Sequence, residues 1–280
     1  MKKIFLCSIC NINSGTCNED CKFCSQSVRY KAKIQRYKQK DIDTIKQEAI
    51  QAQQNGALGF CLVSSNRSLD DAMVEFVSNI AKEVKKVAPK LRLIGCNGTA
   101  STQHLQLLKE AGISAYNHNL ETSKEFYPNI CTTHSWDERF QTCLNVNEVG
   151  LSLLCGGIFG LGETLQDRVS MLNSIAELNP ISIPINFYHH NEALSLKENP
   201  LSIDESLELI KLTKKTVPTA QRIMVAGGRE MMFGSRQQEI FEAGANSIVI
   251  GNYLTTKGIQ ANKDLLMLKE LGLEIAKSVE

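Results

Sequence analysis

An excess of charge of one sign, long apolar runs and low-complexity segments are all missing from this sequence. Its 280 residues include 31 lysines and arginines against 30 aspartates and glutamates, which leaves a net charge of +1. Without a basic excess, we do not expect the protein to bind nucleic acid. No stretch approaches the roughly 18 apolar residues of a membrane-spanning helix, so we do not expect a membrane protein either.

A secretion signal is not apparent. The basic start and the apolar residues Ile4–Ile9 imitate one, but the polar stretch Asn11–Asn13 interrupts it before a full apolar core forms. We therefore expect a cytoplasmic protein with reduced thiols. In that setting the ten cysteines, too sparse for a disulfide scaffold, indicate metal binding, catalysis or packing.

Apolar, β-branched stretches alternate with helical patterns along the sequence. The helical patterns carry an apolar stripe, as in Leu69–Val84, or begin with a capping box, as in Ser135–Glu138 and Ser202–Glu205. We predict strands at about 3–12, 57–65, 91–98, 113–120, 151–159, 181–188, 222–227 and 245–251. Their mean spacing of about 35 residues suits strand–helix units. Eight units predict an α/β protein, a TIM-type (β/α)8 barrel forming a single domain over residues 1–280; a doubly wound open sheet is the alternative.

The longest stretch without a helical pattern covers residues 11–40, directly after the first predicted strand. In a barrel this stretch leaves the carboxyl end of the strand, where active sites of this fold lie. Three cysteines fall within it, Cys17, Cys21 and Cys24, in the spacing C-x3-C-x2-C. We therefore expect a cluster-binding loop at about 11–40.

Three thiolates in this spacing leave a metal centre one ligand short. An iron–sulfur cluster with one open iron suits the spacing, because a substrate can bind that iron directly. A zinc ion is an alternative, but it would need a fourth ligand nearby, and the first histidine is His104. Uncoordinated thiols are the third alternative.

The cysteine loop, with Phe23 just before its last cysteine, resembles that of radical S-adenosylmethionine enzymes. The resemblance implies that Cys17, Cys21 and Cys24 hold a 4Fe–4S cluster whose fourth iron binds S-adenosylmethionine. One electron then cleaves the cofactor to a 5′-deoxyadenosyl radical, which removes hydrogen from unactivated carbon. In such enzymes the cofactor carries the hard chemistry, and the protein orients the reactants and excludes water.

A glycine-rich segment at the end of the fifth predicted strand, residues 156–163, fits the pattern G-x-I-x-G-x-x-E that this family uses beside the adenine. Glycine lets backbone approach a flat base closely. The resemblance places four residues at the cofactor: Gly156, Ile158, Gly160 and Glu163. The alternative is an ordinary glycine-rich turn between a strand and a helix.

Longer segments, above all Tyr116–Ser123, resemble the branch of this family that inserts sulfur into dethiobiotin to form biotin. By this resemblance Asn117 and Asn186 hold the ureido ring of dethiobiotin, because an amide can pair with the N–H and C=O groups of a cyclic urea. Three further residues are implied at S-adenosylmethionine: Asn119, Glu121 and Arg139. The family usually has Asp in place of Glu121, and Arg139 could instead be a solvated helix charge. We expect His118 to be a barrel-wall residue bonded to backbone.

The same branch carries an auxiliary iron–sulfur cluster, expected to be 2Fe–2S, held by three cysteines and one arginine and regarded as the sulfur source. Cys61 and Cys155 match that pattern. At the other two matching positions stand Ile94 and Met224, with Cys96 and Arg222 two residues away. A shift of two residues preserves the facing direction on a strand and moves the side chain by about 6.6 Å.

We therefore predict four auxiliary ligands: Cys61, Cys96, Cys155 and Arg222. A cluster of another composition, a cluster without the arginine, and plain packing cysteines are the alternatives. Four cysteines stay unassigned: Cys7, Cys10, Cys131 and Cys143, of which the last suits helix packing. Cys7 and Cys10 differ by three positions, so they face opposite sides of a strand.

The resemblance also implies a reducing electron donor protein and a homodimer. Two other functions stay open from the sequence. One is a different radical S-adenosylmethionine barrel enzyme, such as a hydrogenase maturase or a mutase, acting on another small molecule. The other is a non-catalytic barrel stabilised by zinc.

Overall fold

Parallel strands close into a barrel in the computed structural model, which describes residues 3–197, 201–251 and 260–278. The strands are β1 Lys3–Asn11, β2 Gly59–Val63, β3 Arg92–Cys96, β4 Ala115–Asn117, β5 Ser152–Leu154, β6 Gly157–Phe159, β7 Ser182–Phe187, β8 Arg222–Val225, β9 Ser247–Val249 and β10 Glu274–Ile275. Strand β1 pairs with both β2 and β9, which closes the sheet. The predicted barrel is confirmed, and this closure excludes the open sheet.

The fifth barrel position is occupied by two short strands rather than the single predicted one. Both β5 and β6 pair with β7, and Cys155 and Gly156 separate them. Here the wall lies very close to β7, since a Cβ on Gly156 would stand 1.9 Å from the carbonyl oxygen of Pro184. The short β10, which the sequence did not predict, pairs with the start of β1.

Helices surround the barrel. Their bounds are α1 Ile42–Gln54, α2 Asp71–Val87, α3 Thr102–Glu110, α4 Trp136–Glu148, α5 Leu165–Leu178, α6 Ile203–Thr216, α7 Arg229–Phe233, α8 Glu239–Ala243 and α9 Ala261–Glu270. Both predicted capping boxes form, at Ser135 for α4 and Ser202 for α6. None of the helices in the described ranges is long and apolar enough to cross a membrane.

Alternation along the strands divides the apolar residues into two clusters. The larger one fills the layer between the barrel and its helices. The smaller one fills the barrel interior and contains Cys7, Cys61, Val63, Ile94, Ala115, Leu154, Met224, Ala226 and Val249. Successive side chains of a strand face opposite sides, so this membership shows which side of the wall each residue faces.

The loop between β1 and α1, residues 12–41, covers the carboxyl end of the barrel, as predicted. An isolated bridge between Ser14 and Tyr37 joins its two ends. Gln26 holds it from within, because its Oε1 accepts hydrogen bonds from the backbone N–H of Gly15 at 2.6 Å and from the hydroxyl of Ser14 at 3.1 Å. The loop is therefore an ordered platform.

Candidate active site at the carboxyl end of the barrel

The three loop cysteines lie together and partly buried. The backbone N–H of Cys24 donates to the carbonyl oxygen of Cys21 at 3.0 Å, which draws these two residues into one turn. Burial raises the pKa of Cys24 to about 11. Three clustered thiols in one ordered loop are the donor set that an iron–sulfur cluster requires.

Asp20 ties this loop to the segment before α4. Its Oδ1 accepts hydrogen bonds from the backbone N–H groups of Thr132, at 2.9 Å, and Thr133, at 3.2 Å, and both threonine hydroxyls also donate to the carboxylate. Burial alone would raise the pKa of Asp20, but these hydrogen bonds outweigh it and hold the pKa well below its usual range. The clasp fixes the loop between Cys17 and Cys21.

A buried group beside Cys21 escaped the sequence analysis. The thiol of Cys21 donates to Sγ of Cys131 at 3.6 Å, and Nδ1 of His134 lies 3.3 Å from that sulfur. Glu19 Oε2 lies 2.5 Å from the same Nδ1. Within the described ranges, Cys21, Cys131 and His134 form a set of potential metal ligands lying within 4.8 Å of one another. The Cys131-x-x-His134 spacing was the available signal.

Arg139 is an internal group of the site. It donates through Nε to the backbone oxygen of Asn119 at 2.6 Å and through Nη2 to Oε1 of Glu121 at 3.0 Å. The side chains of Arg139 and Glu121 are only 13% and 12% exposed, which excludes a solvated helix charge. Burial raises the pKa of Glu121, while the adjacent guanidinium opposes this effect.

Strand β4 and the glycine-rich strand meet at this point. The backbone N–H of Gly156 donates to Oδ1 of Asn119 at 3.2 Å, and that of Ile158 donates to the backbone oxygen of Glu121 at 2.8 Å. Glu121 adopts a positive φ of 68°, which turns the chain here. The structure thus brings together five of the residues predicted to contact the cofactor: Asn119, Glu121, Arg139, Gly156 and Ile158.

Two residues of the glycine-rich pattern are needed for the local structure itself, apart from any contact with a cofactor. Gly156 is required by the close approach of Pro184. Glu163 is buried and accepts hydrogen bonds from the backbone N–H groups of Gly160, at 2.9 Å, and Leu161, at 2.6 Å, and from Arg168. The carboxylate therefore closes the turn that ends this strand.

Asn117 and Asn186, the two residues predicted to bind the substrate, differ in the hydrogen bonds that their side-chain amides form within the protein. Asn117 donates through Nδ2 to Sγ of Cys96 at 3.4 Å, and its Oδ1 is buried without a partner in the described part of the chain. An unpaired buried acceptor is costly unless a ligand donates to it. The amide of Asn186 instead joins Gly157 to Gly227, so it also holds the wall together.

His118 is buried on the other face of the wall. Burial, with nearby Arg139 and His134, holds its pKa far below the usual value, so the ring is neutral. The expected backbone bond is not seen at Nε2, which has no partner among the described residues. A neutral ring behind the wall does not reach the interior.

Cys61 and Cys96 face the barrel interior, as predicted. They stand diagonally on adjacent strands, because Cys61 pairs with Ile94, two residues before Cys96. The neighbouring Cys96 thiol raises the pKa of Cys61, and the Cys61 thiol lowers the pKa of Cys96. These are the two auxiliary-ligand candidates that the structure brings together. They also adjoin Asn117, which contacts Cys96.

Cys155 does not join them. Its neighbour Leu154 belongs to the interior cluster, so Cys155 faces outward, fully buried, with its Sγ 3.8 Å from that of Cys143 on α4. The physical reason is strand alternation, which gives adjacent residues opposite faces. This position does not favour the ligand role predicted for Cys155, whereas the packing role expected for Cys143 agrees with it.

Arg222 faces the barrel interior near one of its ends. It begins β8 at the amino end of the barrel, and its guanidinium carbon lies 4.3 Å from the ring centre of Phe5. The next inward-facing residue of β8 is Met224, which belongs to the interior cluster that contains Cys61. The two-residue shift kept the side chain on the inner face, where it lines a cavity together with Cys7 and Met224.

Family models match most of the chain. The model described as Radical SAM superfamily matches residues 12–175, and the model described as Biotin and Thiamin Synthesis associated domain matches residues 184–274. The biotin synthase of Sulfurimonas denitrificans is 67% identical over 279 residues, which is 100% of this chain and 99% of that protein. The biotin synthase of Nitratiruptor sp. is 55% identical over 276 residues, 99% of each chain.

Solved structures share the fold at low identity. A methylornithine synthase superposes with a TM-score of 0.82 at 17% identity, over 98% of this chain and 84% of that one. The FeFe-hydrogenase maturase from Carboxydothermus hydrogenoformans superposes with a TM-score of 0.83 at 14% identity, over 97% of this chain and 67% of that one. These likenesses concern the barrel alone.

Proposed function

The chain belongs to the radical SAM superfamily and, within it, to the biotin synthase family, and from that membership we propose that it converts dethiobiotin to biotin. In this reaction dethiobiotin loses two hydrogen atoms from saturated carbons and gains one sulfur atom between them. Each C–H cleavage consumes one S-adenosylmethionine. The proposal combines the family with the site at the carboxyl end of the barrel.

Asn117 is the observation that carries the substrate assignment. Its buried Oδ1 accepts no hydrogen bond in the described part of the chain, and its Nδ2 contacts Cys96. A ureido N–H of dethiobiotin would satisfy that oxygen and recover the free energy that an unpaired acceptor costs. The second predicted amide, Asn186, would meet the same ring while holding Gly157 and Gly227 in place.

The cysteine loop is the proposed site of the 4Fe–4S cluster, with Cys17, Cys21 and Cys24 as its ligands. When bound, the cluster and S-adenosylmethionine supply a radical able to remove hydrogen from a saturated carbon. The chain orients the cofactor through Phe23, Asn119, Glu121, Arg139, Gly156, Ile158 and Gly160, with Glu163 closing the turn beside them. Arg139 would face a carboxylate and Glu121 the ribose.

The proposed sulfur source is the auxiliary iron–sulfur cluster, held inside the barrel by Cys61 and Cys96. Both thiols lie on the inner wall beside Asn117. A reducing electron donor protein, a homodimer and a cytoplasmic location complete the proposal. All ten cysteines are free thiols, which suits a reducing compartment.

Anaerobic reconstitution with iron and 34S-sulfide tests this function. The loaded, reduced protein is incubated with S-adenosylmethionine and dethiobiotin, and 5′-deoxyadenosine and biotin are measured by mass spectrometry. We expect biotin that carries the 34S label. Asn117→Ala should retain its iron but form much less biotin, because it lacks the amide assigned to the ureido ring.

A protein that is fully loaded with iron, cleaves S-adenosylmethionine and never forms biotin would overturn the proposal. That result would indicate a radical enzyme with another small substrate. Zinc in place of iron after anaerobic purification would equally contradict it, because a zinc ion supplies no electron.

A further inference from the structure

Cys7 is a third thiol on the inner wall of the barrel. It belongs to the interior cluster together with Cys61 and, at its margin, Cys96. These three cysteines occupy three adjacent strands, β1, β2 and β3. We call them the interior cysteine set: Cys7, Cys61 and Cys96.

The strand register relates the three thiols by one repeated step. Cys7 pairs with Gly59, which stands two residues before Cys61 on β2. Cys61 pairs with Ile94, which stands two residues before Cys96 on β3. Each step therefore crosses one strand and rises two residues, which keeps the side chain on the same face. Such diagonal neighbours on one face lie about 7–8 Å apart at Cα, and their side chains come closer.

Space is left beside the lowest of these thiols. A cavity of about 40 Å³ is lined by Cys7, Gly59, Ile94, Leu154, Met224 and Arg222, among others, and of the three cysteines Cys7 borders it. Gly59 helps to maintain it, since a Cβ there would come within 3.1 Å of both Sγ of Cys7 and Cδ1 of Ile94. Thiols beside a void can change rotamer to meet a bound group without displacing backbone.

The opposite side of the interior offers hydrocarbon and a thioether where the family pattern has ligands. Ile94 and Met224 stand at two of those positions, and Leu154 stands where Cys155 would need to point inward. An isoleucine or leucine side chain has no donor atom, and a methionine thioether is a poor substitute for a thiolate. Arg222 lines the same cavity, but its guanidinium carbon lies 4.3 Å from the ring centre of Phe5.

We propose that Cys7, Cys61 and Cys96 together hold the auxiliary iron–sulfur cluster, as a set of three thiolates on adjacent strands with neither Cys155 nor Arg222 as a ligand. This inference rests on the proposed function and names the ligands of its sulfur source. It differs from the family pattern in recruiting β1 and in leaving β5 and β8 without ligands.

A multi-iron cluster suits this set better than a single zinc ion. Zinc–sulfur bonds of about 2.3 Å limit the sulfur atoms around one ion to separations of at most about 4.6 Å. The thiols of the interior cysteine set lie on three adjacent strands and are therefore further apart than this limit. In the described ranges these three thiols do not form a compact group around a single ion. Iron–sulfur clusters place successive thiolates on different irons.

The geometry also explains why Cys96 contacts Asn117, the residue proposed to bind dethiobiotin. Cys96 is the highest member of the set toward the carboxyl end, and Asn117 donates to it at 3.4 Å. A cluster on these thiols would adjoin the amide assigned to dethiobiotin. The sulfur source and the substrate would then lie next to each other.

The test isolates the auxiliary site by its iron content. The parent is the full chain with Cys17→Ala, Cys21→Ala and Cys24→Ala, so that any remaining iron–sulfur signal belongs to the barrel interior. Into it are introduced Cys7→Ala, Cys61→Ala or Cys96→Ala, and as controls Cys10→Ala, Cys155→Ala or Arg222→Met. Cys10 is a matched control, because it lies on the same strand facing the outer layer near Lys40. Iron, acid-labile sulfide and the Mössbauer spectrum are measured after anaerobic reconstitution.

We expect each interior variant to lose most of the parent's iron and sulfide, and each control to keep them. Circular dichroism and Cys7→Ser, which preserves the size of the side chain, separate ligand loss from misfolding.

Full iron in a folded Cys7→Ala variant, or loss of iron in Cys155→Ala or Arg222→Met, would overturn the ligand assignment while leaving the proposed function standing. A parent that binds no iron at all would instead contradict the proposed function, because no sulfur source would exist. The two failures are therefore distinguishable.

Discussion

Asn117 donates a hydrogen bond from Nδ2 to Sγ of Cys96 at 3.4 Å. One side chain thereby connects the proposed binding site of the ureido ring to the proposed site of the sulfur source. Its Oδ1 stays unsatisfied among the described residues, so a bound ligand would complete the hydrogen bonding of this amide.

The first prediction concerns this amide. Asn117→Ala should weaken dethiobiotin binding by about 10- to 100-fold, since the ligand's buried N–H loses its acceptor. Calorimetry or equilibrium dialysis under anaerobic conditions, with S-adenosylmethionine present, measures the Kd. Asn145→Ala on α4, where the amide donates to the backbone oxygen of Ala100 and accepts from Gln141 in the outer layer, is the control. An unchanged Kd for Asn117→Ala would remove this residue from the substrate site.

The second prediction concerns the Asp20 clasp. Asp20→Ala should accelerate iron loss from the cysteine loop, because the hydrogen bonds from Thr132 and Thr133 hold the loop between Cys17 and Cys21. The rate of iron release to a chelator under anaerobic conditions measures this effect. Asp43→Ala, an exposed substitution on α1, is the comparison. Equal release rates would show that the clasp does not protect the cluster.

The third prediction is a pH dependence at the start of α4. The backbone N–H of Ser135 and then the guanidinium of Arg67, 2.8 Å away, lower the pKa of Glu138 to about 2. Because the folded pKa lies below the unfolded one, the carboxylate stabilises the fold above pH of about 4.5 and loses this effect as the pH falls towards 2. Glu138→Gln keeps the capping geometry and removes the charge.

We expect Glu138→Gln to lower the free energy of unfolding by up to about 1 kcal/mol at pH 7, since the pair is half exposed. The difference should shrink below pH of about 4.5. Urea unfolding of the iron-free protein at several pH values measures it. Glu205→Gln, in the capping box of α6, serves for comparison, as no salt bridge to Glu205 occurs among the described residues. A difference that grows on acidification would contradict the assignment.

The fourth prediction concerns a buried ion pair between α7 and α9. Arg229 is fully buried, and both oxygens of Asp264 lie 2.9 Å from its Nη2. Burial raises the pKa of Asp264, and the guanidinium opposes this effect. Arg229→Met should therefore cost about 3–5 kcal/mol, because it leaves a buried carboxylate unpaired.

Thermal or urea unfolding measures that loss. The double variant Arg229→Met/Asp264→Leu should recover part of it, since no charge then stays buried. Iron content per folded chain should be unaffected, which separates this pair from the cluster sites. A double variant less stable than Arg229→Met would show that the pair contributes beyond charge compensation.

Local features followed from the sequence because they depend on residues close together in the chain. The capping boxes at Ser135 and Ser202 need only one helical turn. The cysteine loop needs only the eight residues Cys17–Cys24. The order of strands and helices followed from periodicity, and the barrel followed from their number.

Ligand sets drawn from several strands did not follow in the same way. Cys155 was expected inside the barrel, yet it packs against Cys143, because the facing of a residue depends on how its strand pairs with its neighbours. Arg222 does face inward, but its height places it on Phe5. The contact of Glu19 with His134 joins positions 115 residues apart, which no local pattern predicts.

By itself, the sequence determined the barrel, the cysteine loop and the resemblance that led to the family, since these depend on spacing along the chain. Only the tertiary structure decided which side of the barrel wall each strand cysteine faces and where it lies along the barrel axis. Facing and height arise from the register of parallel strands, and that register is established only when the sheet closes through β1 and β9. The structure thereby turned Cys7 from an unassigned residue into the neighbour of Cys61 and Cys96.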